Sequence, residues 1–197
     1  DLVGFDMDYT LAIYAQAEMD RLSIEATAKK LVARGYPSEL LSMQYRTDYP
    51  IRGLLIDRKL GNVLKMDRYK YVKKGYHGMR ELSRDERRQL YQTKRIRGAT
   101  TRYHFVDTLY ALSEVSVFAA AVQSLEADGH TLDYDKLFGD VRTCIDEAHR
   151  DGTILDQVEA DLPRFVDKDP LLAPTLHKLR SAGKRLFLLT NSRLPFT

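Results

Sequence analysis

Apolar residues recur along the chain in short runs and at helical spacing, and they predict a mixture of strands and helices. Runs of strand length occur at residues 2–5 and 185–189. A β-hairpin is predicted within residues 54–67, where Gly61-Asn62 separates two apolar segments. Helices are predicted for residues 18–34 and 113–125, for the segment before Gly152, and from Asp169-Pro170 to Gly183. The pattern indicates an α/β protein.

Two aspartates stand directly after the first apolar run, in the segment Asp6-Met7-Asp8-Tyr9-Thr10. Because alternate residues of a strand point to the same side, we expect Asp6 and Asp8 to face one small ligand at the rim of a sheet. Two carboxylates this close repel each other, and Mg²⁺ would neutralise them. One could then act as nucleophile while the other transfers a proton. The same string also occurs in turns where Asp accepts bonds from backbone amides, and that interpretation stays open.

The second apolar run ends in Thr190-Asn191-Ser192. A hydroxyl and an amide at the carboxyl end of a strand are neutral donors suited to the oxygens of a phosphate. A polar turn that closes a strand uses the same residue types, so this motif alone does not establish a site. Two strands that each end in groups suited to phosphoryl transfer nevertheless favour a phosphate site.

The predicted helix before Gly152 has an apolar face with a polar stripe beside it. Arg142, Asp146 and His149 stand at i, i+4 and i+7, so they line up along the helix. An Arg and an Asp four residues apart usually form a solvated pair that supports the helix, and the pattern alone favours that structural role. Cys144 is the single cysteine and lies near the apolar face, so we expect it to be buried.

Composition limits the possible functions. The chain has 197 residues and 44% hydrophobic content, which is enough for a sizeable core. No run approaches the roughly 20 apolar residues that cross a bilayer. The net charge of +3 gives little reason to expect a nucleic-acid partner. The basic stretch 80–102 is interpreted mainly as a solvated helix face and loop, with an anionic effector or subunit site as the minor alternative. These features predict a soluble cytoplasmic protein without a membrane partner.

Taken in chain order, the motifs resemble a known family. A strand followed by Asp-x-Asp-x-Thr, and later a strand followed by Thr-Asn, resemble the first and second motifs of the haloacid dehalogenase superfamily of phosphohydrolases. More narrowly, residues 4–12 together with Tyr14 are similar to the cytosolic purine 5'-nucleotidase branch. Further similarities run through the chain: Leu31-Val32, Gly35-Tyr36-Pro37, Arg52-Gly53-Leu54, Gly61-Asn62, Leu64-Lys65 with Asp67, His77-Gly78, and the stripe of Arg142, Asp146 and His149.

This resemblance implies catalytic roles for the matching residues. Asp6 would be the nucleophile that attacks the phosphate, and Asp8 would be the general acid and base. Both aspartates would take part in binding Mg²⁺, the implied cofactor, with Asp8 contributing its backbone carbonyl. The phosphate-binding residues would be Thr10, Thr190, Asn191 and Ser192.

The resemblance also implies how a substrate base is recognised. In similar nucleotidases this helix stripe binds a purine base. By this resemblance, His149 would stack on the base, and Arg142 and Asp146 would form hydrogen bonds with the ring edges. Tyr110 stands where the family has an aromatic residue, and a tyrosine ring stacks equally well. The implied partner is therefore a purine nucleoside monophosphate of the IMP or GMP type, and homo-oligomer formation is left open.

The implied architecture is a haloacid dehalogenase-like Rossmannoid core with a large mixed α/β cap insertion. Residues 1–17 and 165–197 would belong to the catalytic core, and residues 18–164 to the cap that recognises substrate. In the superfamily a third-motif lysine and a fourth-motif acidic pair follow the second strand, whereas no residue follows Thr197 here. We therefore expect the core to continue beyond residue 197, and we expect negligible turnover from these 197 residues alone.

Three functions are compatible with the sequence. The favoured one is a Mg²⁺-dependent 5'-nucleotidase that hydrolyses purine nucleoside monophosphates through an aspartyl-phosphate. The alternatives are a phosphatase of the same superfamily for another small phosphate, and a catalytically silent scaffold of the same fold. The intact Asp6, Asp8 and Thr10 argue against the scaffold, since a scaffold needs neither carboxylate.

Overall fold

A computed structural model of the chain describes residues 1–46, 48, 50–91, 96, 100–108 and 110–190. The chain divides into two compact units. The first unit contains residues 1–21 and the segment from Gly152 onward, and the second unit contains residues 22–151. The amino-terminal segment therefore packs with residues far along the chain.

The described residues form both strands and helices. The strands β1 to β9 are, in chain order, Leu2–Phe5, Ile13–Tyr14, Leu54–Asp57, Asn62–Met66, Val72–His77, Arg80–Glu81, Tyr103–Val106, Val166–Asp167 and Arg185–Leu188. The helices α1 to α7 are Gln16–Ala33, Arg84–Tyr91, Tyr110–Ala127, Tyr134–Arg150, Leu155–Ala160, Leu162–Phe165 and Leu172–Ser181. A 3₁₀ helix covers Ser38–Ser42. The described part of the chain is thus a mixed α/β structure, as the sequence predicts, while the narrower haloacid dehalogenase-like core stays a prediction.

The first unit contains a parallel strand pair that joins the two ends of the chain. Strand β1 pairs with β9, with Phe5 opposite Leu188. Gly4 permits this pairing to be close, because a Cβ atom at that position would lie 2.5 Å from the ring of Phe187. Since the strands run parallel, both carboxyl ends lie at the same edge, and the backbone N–H of Leu189 donates to the carbonyl of Phe5 at 2.8 Å.

A second, antiparallel pair in the same unit fixes the segment that follows the first strand. Strand β2 pairs with β8, and Tyr14 lies opposite Val166. The backbone N–H of Ala15 extends this pairing by donating to the carbonyl of Phe165 at 2.9 Å. The ring of Tyr14 is buried. The position of this tyrosine therefore depends on residues more than a hundred positions away in sequence.

The second unit is built on a five-stranded antiparallel sheet with the strand order β6-β5-β4-β3-β7. All four residues of β3 are buried. Because alternate residues of a strand point to opposite sides, both faces of β3 are therefore covered. Leu54 and Ile56 join the larger core with α3 and α4. Leu55 joins a smaller cluster around Tyr91 of α2. Burial on two faces explains why this strand reads as a continuous apolar run.

Helices α3 and α4 cover the larger core of this unit. The rings of Phe118 and Phe138 meet edge to face, with centroids 5.4 Å apart. The side chain of Asp133 caps α4 by accepting a hydrogen bond from the backbone N–H of Lys136 at 3.0 Å. Cys144 of α4 is buried, which confirms the sequence prediction.

Two local predictions need correction. In the hairpin, Asn62 is the first residue of β4 and not part of the turn, whereas Gly61 does adopt a left-handed conformation with φ +67°. Helix α7 begins at Leu172 and not at Asp169-Pro170. The Asp169 side chain instead accepts from the backbone N–H of Leu171 at 2.8 Å, so it stabilises the turn before the helix.

None of the helices in the described part of the chain combines the length and the hydrophobicity that a membrane span requires.

Candidate active site

Asp6 leaves the carboxyl end of β1 at the edge where β9 also ends. Its side chain is exposed, and its Oδ1 accepts a hydrogen bond from the backbone N–H of Met7 at 2.8 Å. The register places Asp6 directly beyond the Phe5–Leu188 pair, so the residues that follow each strand leave the sheet side by side. Carboxyl ends of parallel strands are where open α/β sheets bind ligands.

A tight turn follows Asp6 and turns the chain back toward β2. The carbonyl of Met7 accepts hydrogen bonds from the backbone N–H groups of Leu11 at 3.0 Å and Ala12 at 2.9 Å. Tyr9 has a φ of +57°, a conformation that residues other than glycine seldom adopt. Its backbone N–H donates to the carbonyl of Ala12 at 2.9 Å. The turn therefore holds Asp8 between two hydrogen-bonded backbone positions.

Asp8 is oriented by a tyrosine hydroxyl. The Tyr14 hydroxyl donates to Oδ1 of Asp8 at 2.6 Å, and Tyr14 is only 8% exposed. A hydrogen bond to a charged acceptor at this distance is among the stronger kinds in proteins. The sequence motif includes Tyr14. The sequence does not predict the hydrogen bond from Tyr14 to Asp8, because that contact depends on the pairing of β2 with β8.

A second tyrosine of the turn makes separate contacts. The Tyr9 hydroxyl donates to Oε1 of Gln16 at 2.7 Å, and Nε2 of Gln16 donates to Asp20 at 2.9 Å. Burial raises the pKa of Tyr9, and the nearby Asp20 carboxylate raises it further. The rings of Tyr9 and Tyr14 meet edge to face with centroids 5.2 Å apart. Tyr9 thus supports the turn while its hydroxyl is directed to Gln16.

The other predicted phosphate-binding residues are described only in part. Thr190 comes two residues after the end of β9 and is half-buried. Thr10 lies in the turn after Asp8 and is exposed. Asn191 and Ser192 lie outside the described residues. The structure therefore brings Asp6 and the segment leading into Thr190 to one edge of the first unit.

The residues at this edge suit a hard divalent cation. Mg²⁺ is usually bound by one or two carboxylates together with waters and substrate phosphate oxygens. Asp6 and Asp8 supply two carboxylates, whereas the described residues contain no group of three or more His, Cys, Asp or Glu side chains that could hold a metal. A pair of aspartates fits a Mg²⁺ that completes its shell with water and phosphate, and it does not fit a closed structural metal site.

The predicted base-binding residues belong to the second unit. Arg142, Asp146 and His149 all lie exposed along α4, as the helical spacing predicts. The Nδ1 of His149 lies 2.9 Å from the carbonyl oxygen of Ile145 and donates to it, since a carbonyl only accepts. In a neutral imidazole this leaves Nε2 as an acceptor. Tyr110 is the first residue of α3, and its side chain lies outside the described part.

Two further side chains adjoin this stripe, and the motif analysis missed both. Glu114 of α3 is buried, and its Oε2 lies 3.4 Å from Nε of Arg142. His104 of β7 packs on Phe138 with ring centroids 5.0 Å apart. Burial lowers the pKa of His104, and the charge of Arg142 lowers it further. The sequence did contain a signal for Glu114, since it is a charged residue within the largely apolar helix α3.

Comparison with known proteins identifies the family. A model of the 5' nucleotidase family matches residues 1–197, which is the full length of the chain. The chain belongs to the 5' nucleotidase family. This confirms the resemblance drawn from the two motifs. In this member of the 5' nucleotidase family, Asp6 follows β1 and Thr190 lies two residues after β9, where the two strands end at one sheet edge.

Several relatives of known sequence share the 5'-nucleotidase domain. The chain is 33% identical over 198 residues to a 5'-nucleotidase domain-containing protein of Dictyostelium discoideum, a match that covers 98% of this chain and 33% of that protein. It is 29% identical over 211 residues to 5'-nucleotidase domain-containing protein 2 of Homo sapiens, covering 100% of this chain and 40% of that protein. The protein of the same name from Rattus norvegicus is also 29% identical, with 37% of its length covered. The chain thus spans between a third and two fifths of these relatives.

Proposed function

We propose that the full-length protein is a Mg²⁺-dependent 5'-nucleotidase that hydrolyses purine nucleoside monophosphates through an aspartyl-phosphate on Asp6. The proposal is supported mainly by the parallel pairing of β1 with β9. Because the strands run parallel, Asp6 and the segment leading to Thr190 both leave the sheet at the same edge. Membership of the 5' nucleotidase family supports the reaction class. Purine preference rests on the resemblance of the α4 stripe.

Asp6 is suited to act as the nucleophile. It is exposed, and among the described residues only its Oδ1 accepts a hydrogen bond, so its second oxygen is available to a substrate. In the first step this oxygen would form a bond to phosphorus while the bond between phosphorus and the nucleoside 5' oxygen breaks. Covalent catalysis of this kind divides one difficult transfer into two easier ones.

Asp8 is suited to move the proton. In its protonated form it would donate to the departing 5' oxygen, and the nucleoside would leave neutral. As a carboxylate it would then accept a proton from the water that attacks the phosphorus of the aspartyl-phosphate, and inorganic phosphate would be released. The Tyr14 hydroxyl, which holds Oδ1 of Asp8 at 2.6 Å, keeps the other oxygen directed for these transfers.

Asp6 and Asp8 are also the residues that would hold Mg²⁺. When bound, the cation would offset the charge of the two carboxylates and of the phosphate. Thr190 and Thr10 would donate hydroxyl hydrogen bonds to the phosphate oxygens. Asn191 and Ser192 keep the same predicted role.

The purine part of the proposal concerns the second unit. Arg142, Asp146 and His149 present a donor, an acceptor and a flat ring along one exposed helix face. A flat ring can stack on a base, and the two charged groups can bond to its edge. In the proposal, this stripe provides the contacts to the base.

The test is phosphate release by the full-length protein in the presence of Mg²⁺. Substrates would be IMP, GMP, AMP, pyrimidine monophosphates, a sugar phosphate and a generic aryl phosphate, each compared with the Asp6→Asn variant. The proposal predicts release from purine monophosphates that Asp6→Asn abolishes. Release from sugar phosphates alone would support a different phosphatase of the superfamily. A folded full-length protein that releases nothing would support the scaffold.

A further inference from the structure

The hairpin that joins β4 to β5 carries a concentration of basic side chains. Residues 65–74, called the basic hairpin below, contain one carboxylate and five cations, namely Lys65, Arg68, Lys70, Lys73 and Lys74. Lys65 is half-buried, and the other four cations are exposed. The net charge of +3 for the whole chain conceals this cluster, because acidic residues elsewhere balance it. A polyanion responds to such a local cluster and not to the total charge.

The fold gains little from these charges. Lys65 of β4 lies directly opposite Lys74 of β5 in the register of the sheet. Like charges at opposite positions destabilise a strand pair. Lys74 approaches Glu81 only to 4.0 Å, and the described residues place no carboxylate within ion-pair distance of Lys65 or Lys70. Packing of the sheet therefore does not account for the cluster, whereas a bound anion would relieve the repulsion.

The single carboxylate of the basic hairpin is used within the turn. Oδ1 of Asp67 accepts hydrogen bonds from the backbone N–H groups of Tyr69 at 2.8 Å and Tyr71 at 3.0 Å. The bond from Tyr71 is the main cause that lowers the pKa of Asp67. Nζ of Lys73 lies 3.5 Å from Oδ2, and Lys70 has a left-handed backbone with φ +70°. The turn thus has a defined conformation that leaves the other cations directed to solvent.

Two exposed aromatic rings lie among these cations. Tyr69 is 52% exposed and Tyr71 is 42% exposed. The guanidinium of Arg68 lies over the ring of Tyr69, 4.8 Å from its centroid. Exposed aromatic rings beside cations are what proteins use to stack unpaired bases while contacting the phosphates. Residues 68–71 contain no Leu, Ile, Phe or Trp, the side chains with which a membrane-inserting tip is usually built.

The basic stretch 80–102 meets the hairpin at one described residue. The backbone N–H of Ile96 donates to the carbonyl of Lys70 at 3.3 Å. The sequence analysis interprets this stretch mainly as a solvated surface, with an anionic site as the minor alternative. The contact brings Ile96 of that stretch beside the turn of the basic hairpin.

We propose that the basic hairpin binds single-stranded nucleic acid. Lys65, Lys70 and Lys74 would contact phosphates, and bases would stack on Tyr69 and Tyr71. Stacking uses the face that every base presents, so the surface would tolerate many sequences. A duplex keeps its bases stacked on each other and would offer the hairpin only phosphates. The inference is independent of the proposed function, since none of these residues belongs to the phosphate or base sites.

Fluorescence anisotropy on the full-length protein tests this inference. The probes would be labelled single strands of about 15 nucleotides, made of uridine, adenosine or deoxythymidine, and a duplex of the same length. Each probe would carry a 5' hydroxyl, which removes any terminal phosphate that a nucleotidase could act on. Affinity would be measured at several salt concentrations, because each neutralised phosphate makes binding weaken as salt rises.

The charge variants should change the salt dependence. Lys70→Gln combined with Lys74→Gln should weaken binding to every single strand. It should also flatten the slope of log affinity against log salt by about 1.4, since each contacted phosphate of a single strand contributes about 0.7. Lys29→Gln combined with Lys59→Gln is the matched control, because both are exposed lysines elsewhere in the same unit. That pair should leave the slope unchanged and the affinity within about twofold.

The aromatic variants should change affinity without changing the slope. Tyr69→Leu and Tyr71→Leu should each weaken binding of single strands by about 5- to 20-fold, and duplex binding by less than about twofold. Tyr69→Phe retains the ring and should retain the affinity. The backbone N–H groups that bond to Asp67 remain in all three variants, and thermal unfolding checks that each is folded.

Several results would overturn the inference. These are no binding of single strands at about 0.15 M salt, equal effects of the two lysine pairs, and unchanged affinity in both leucine variants. Tighter binding of the duplex would also overturn it. Tighter binding of poly-glutamate, or of phosphatidylcholine vesicles containing phosphatidylserine, would instead assign the surface to an acidic protein or to a membrane. Loss of IMP hydrolysis through Asp6→Asn should leave nucleic-acid binding unchanged, so this inference and the proposed function can fail separately.

Discussion

Removing the Tyr14 hydroxyl tests whether the conformation of Asp8 matters for catalysis. In Tyr14→Phe the ring remains to pack in the first unit, and the hydrogen bond of 2.6 Å to Oδ1 of Asp8 is lost. A hydrogen bond to a charged group contributes about 1.5–3 kcal/mol. Because Asp8 is only half-buried, water can replace part of that bond, and the lower end of the range applies. About 1.5 kcal/mol corresponds to a rate loss of roughly tenfold.

The assay is steady-state phosphate release from a purine monophosphate by the full-length protein. We expect kcat to fall roughly tenfold while KM changes little, because Asp8 transfers a proton in the transition state and does not hold the ground-state substrate. Tyr9→Phe is the matched control, since Tyr9 lies in the same turn as Asp8 but its hydroxyl donates to Gln16 of α1. Equal effects of the two variants would refute the reasoning, and so would a loss confined to KM.

Four further variants test the second unit. His149→Ala should raise KM for purine monophosphates and spare a generic aryl phosphate, since the ring is proposed to stack on the base; equal losses on both substrates in the same assay would count against base recognition. Burial and a hydrogen bond to a carboxylate raise the pKa of Tyr36 to about 12, from 10.0. The folded state therefore holds this proton more tightly, and its contribution to stability is complete below pH 10 and lost between pH 10 and about 12. Thermal unfolding should show a shallower alkaline decline for Tyr36→Phe than for the wild-type protein, and identical slopes would contradict the assignment. Gly61→Ala should lower the free energy of unfolding by about 1–3 kcal/mol, because its backbone is left-handed and the new Cβ would lie 2.5 Å from the Tyr134 ring. Gly139→Ala in α4, where no atom lies within 4 Å of the new Cβ, should instead stabilise by roughly 0.5–1 kcal/mol in the same denaturant titration.

Local patterns predicted the elements that depend on neighbouring residues. The apolar runs became β1 and β9, and the apolar segments around Gly61 became β3 and β4. The helical spacing of Arg142, Asp146 and His149 produced one exposed stripe on α4. These features follow from side-chain periodicity, which the sequence contains directly.

The features that could not be predicted depend on contacts between distant parts of the chain. The bond from Tyr14 to Asp8 requires β2 to pair with β8, whose residues follow about 150 positions later. The burial of Glu114 requires α4 to pack against α3, since a glutamate in isolation is typical of a helix surface. The predicted helix start at Asp169-Pro170 was wrong because Asp and Pro are favoured both at helix starts and in turns.

The central claim is that Asp6 carries the phosphoryl group during turnover. Full-length protein would be mixed with IMP and Mg²⁺, quenched in acid within the first turnovers, and digested for mass spectrometry. We predict a hydroxylamine-sensitive mass increase of one phosphoryl group on the peptide that contains Asp6, and its absence in Asp6→Asn. Rapid hydrolysis of IMP that continues in Asp6→Asn, or a phosphoryl group found on another residue, would contradict the account.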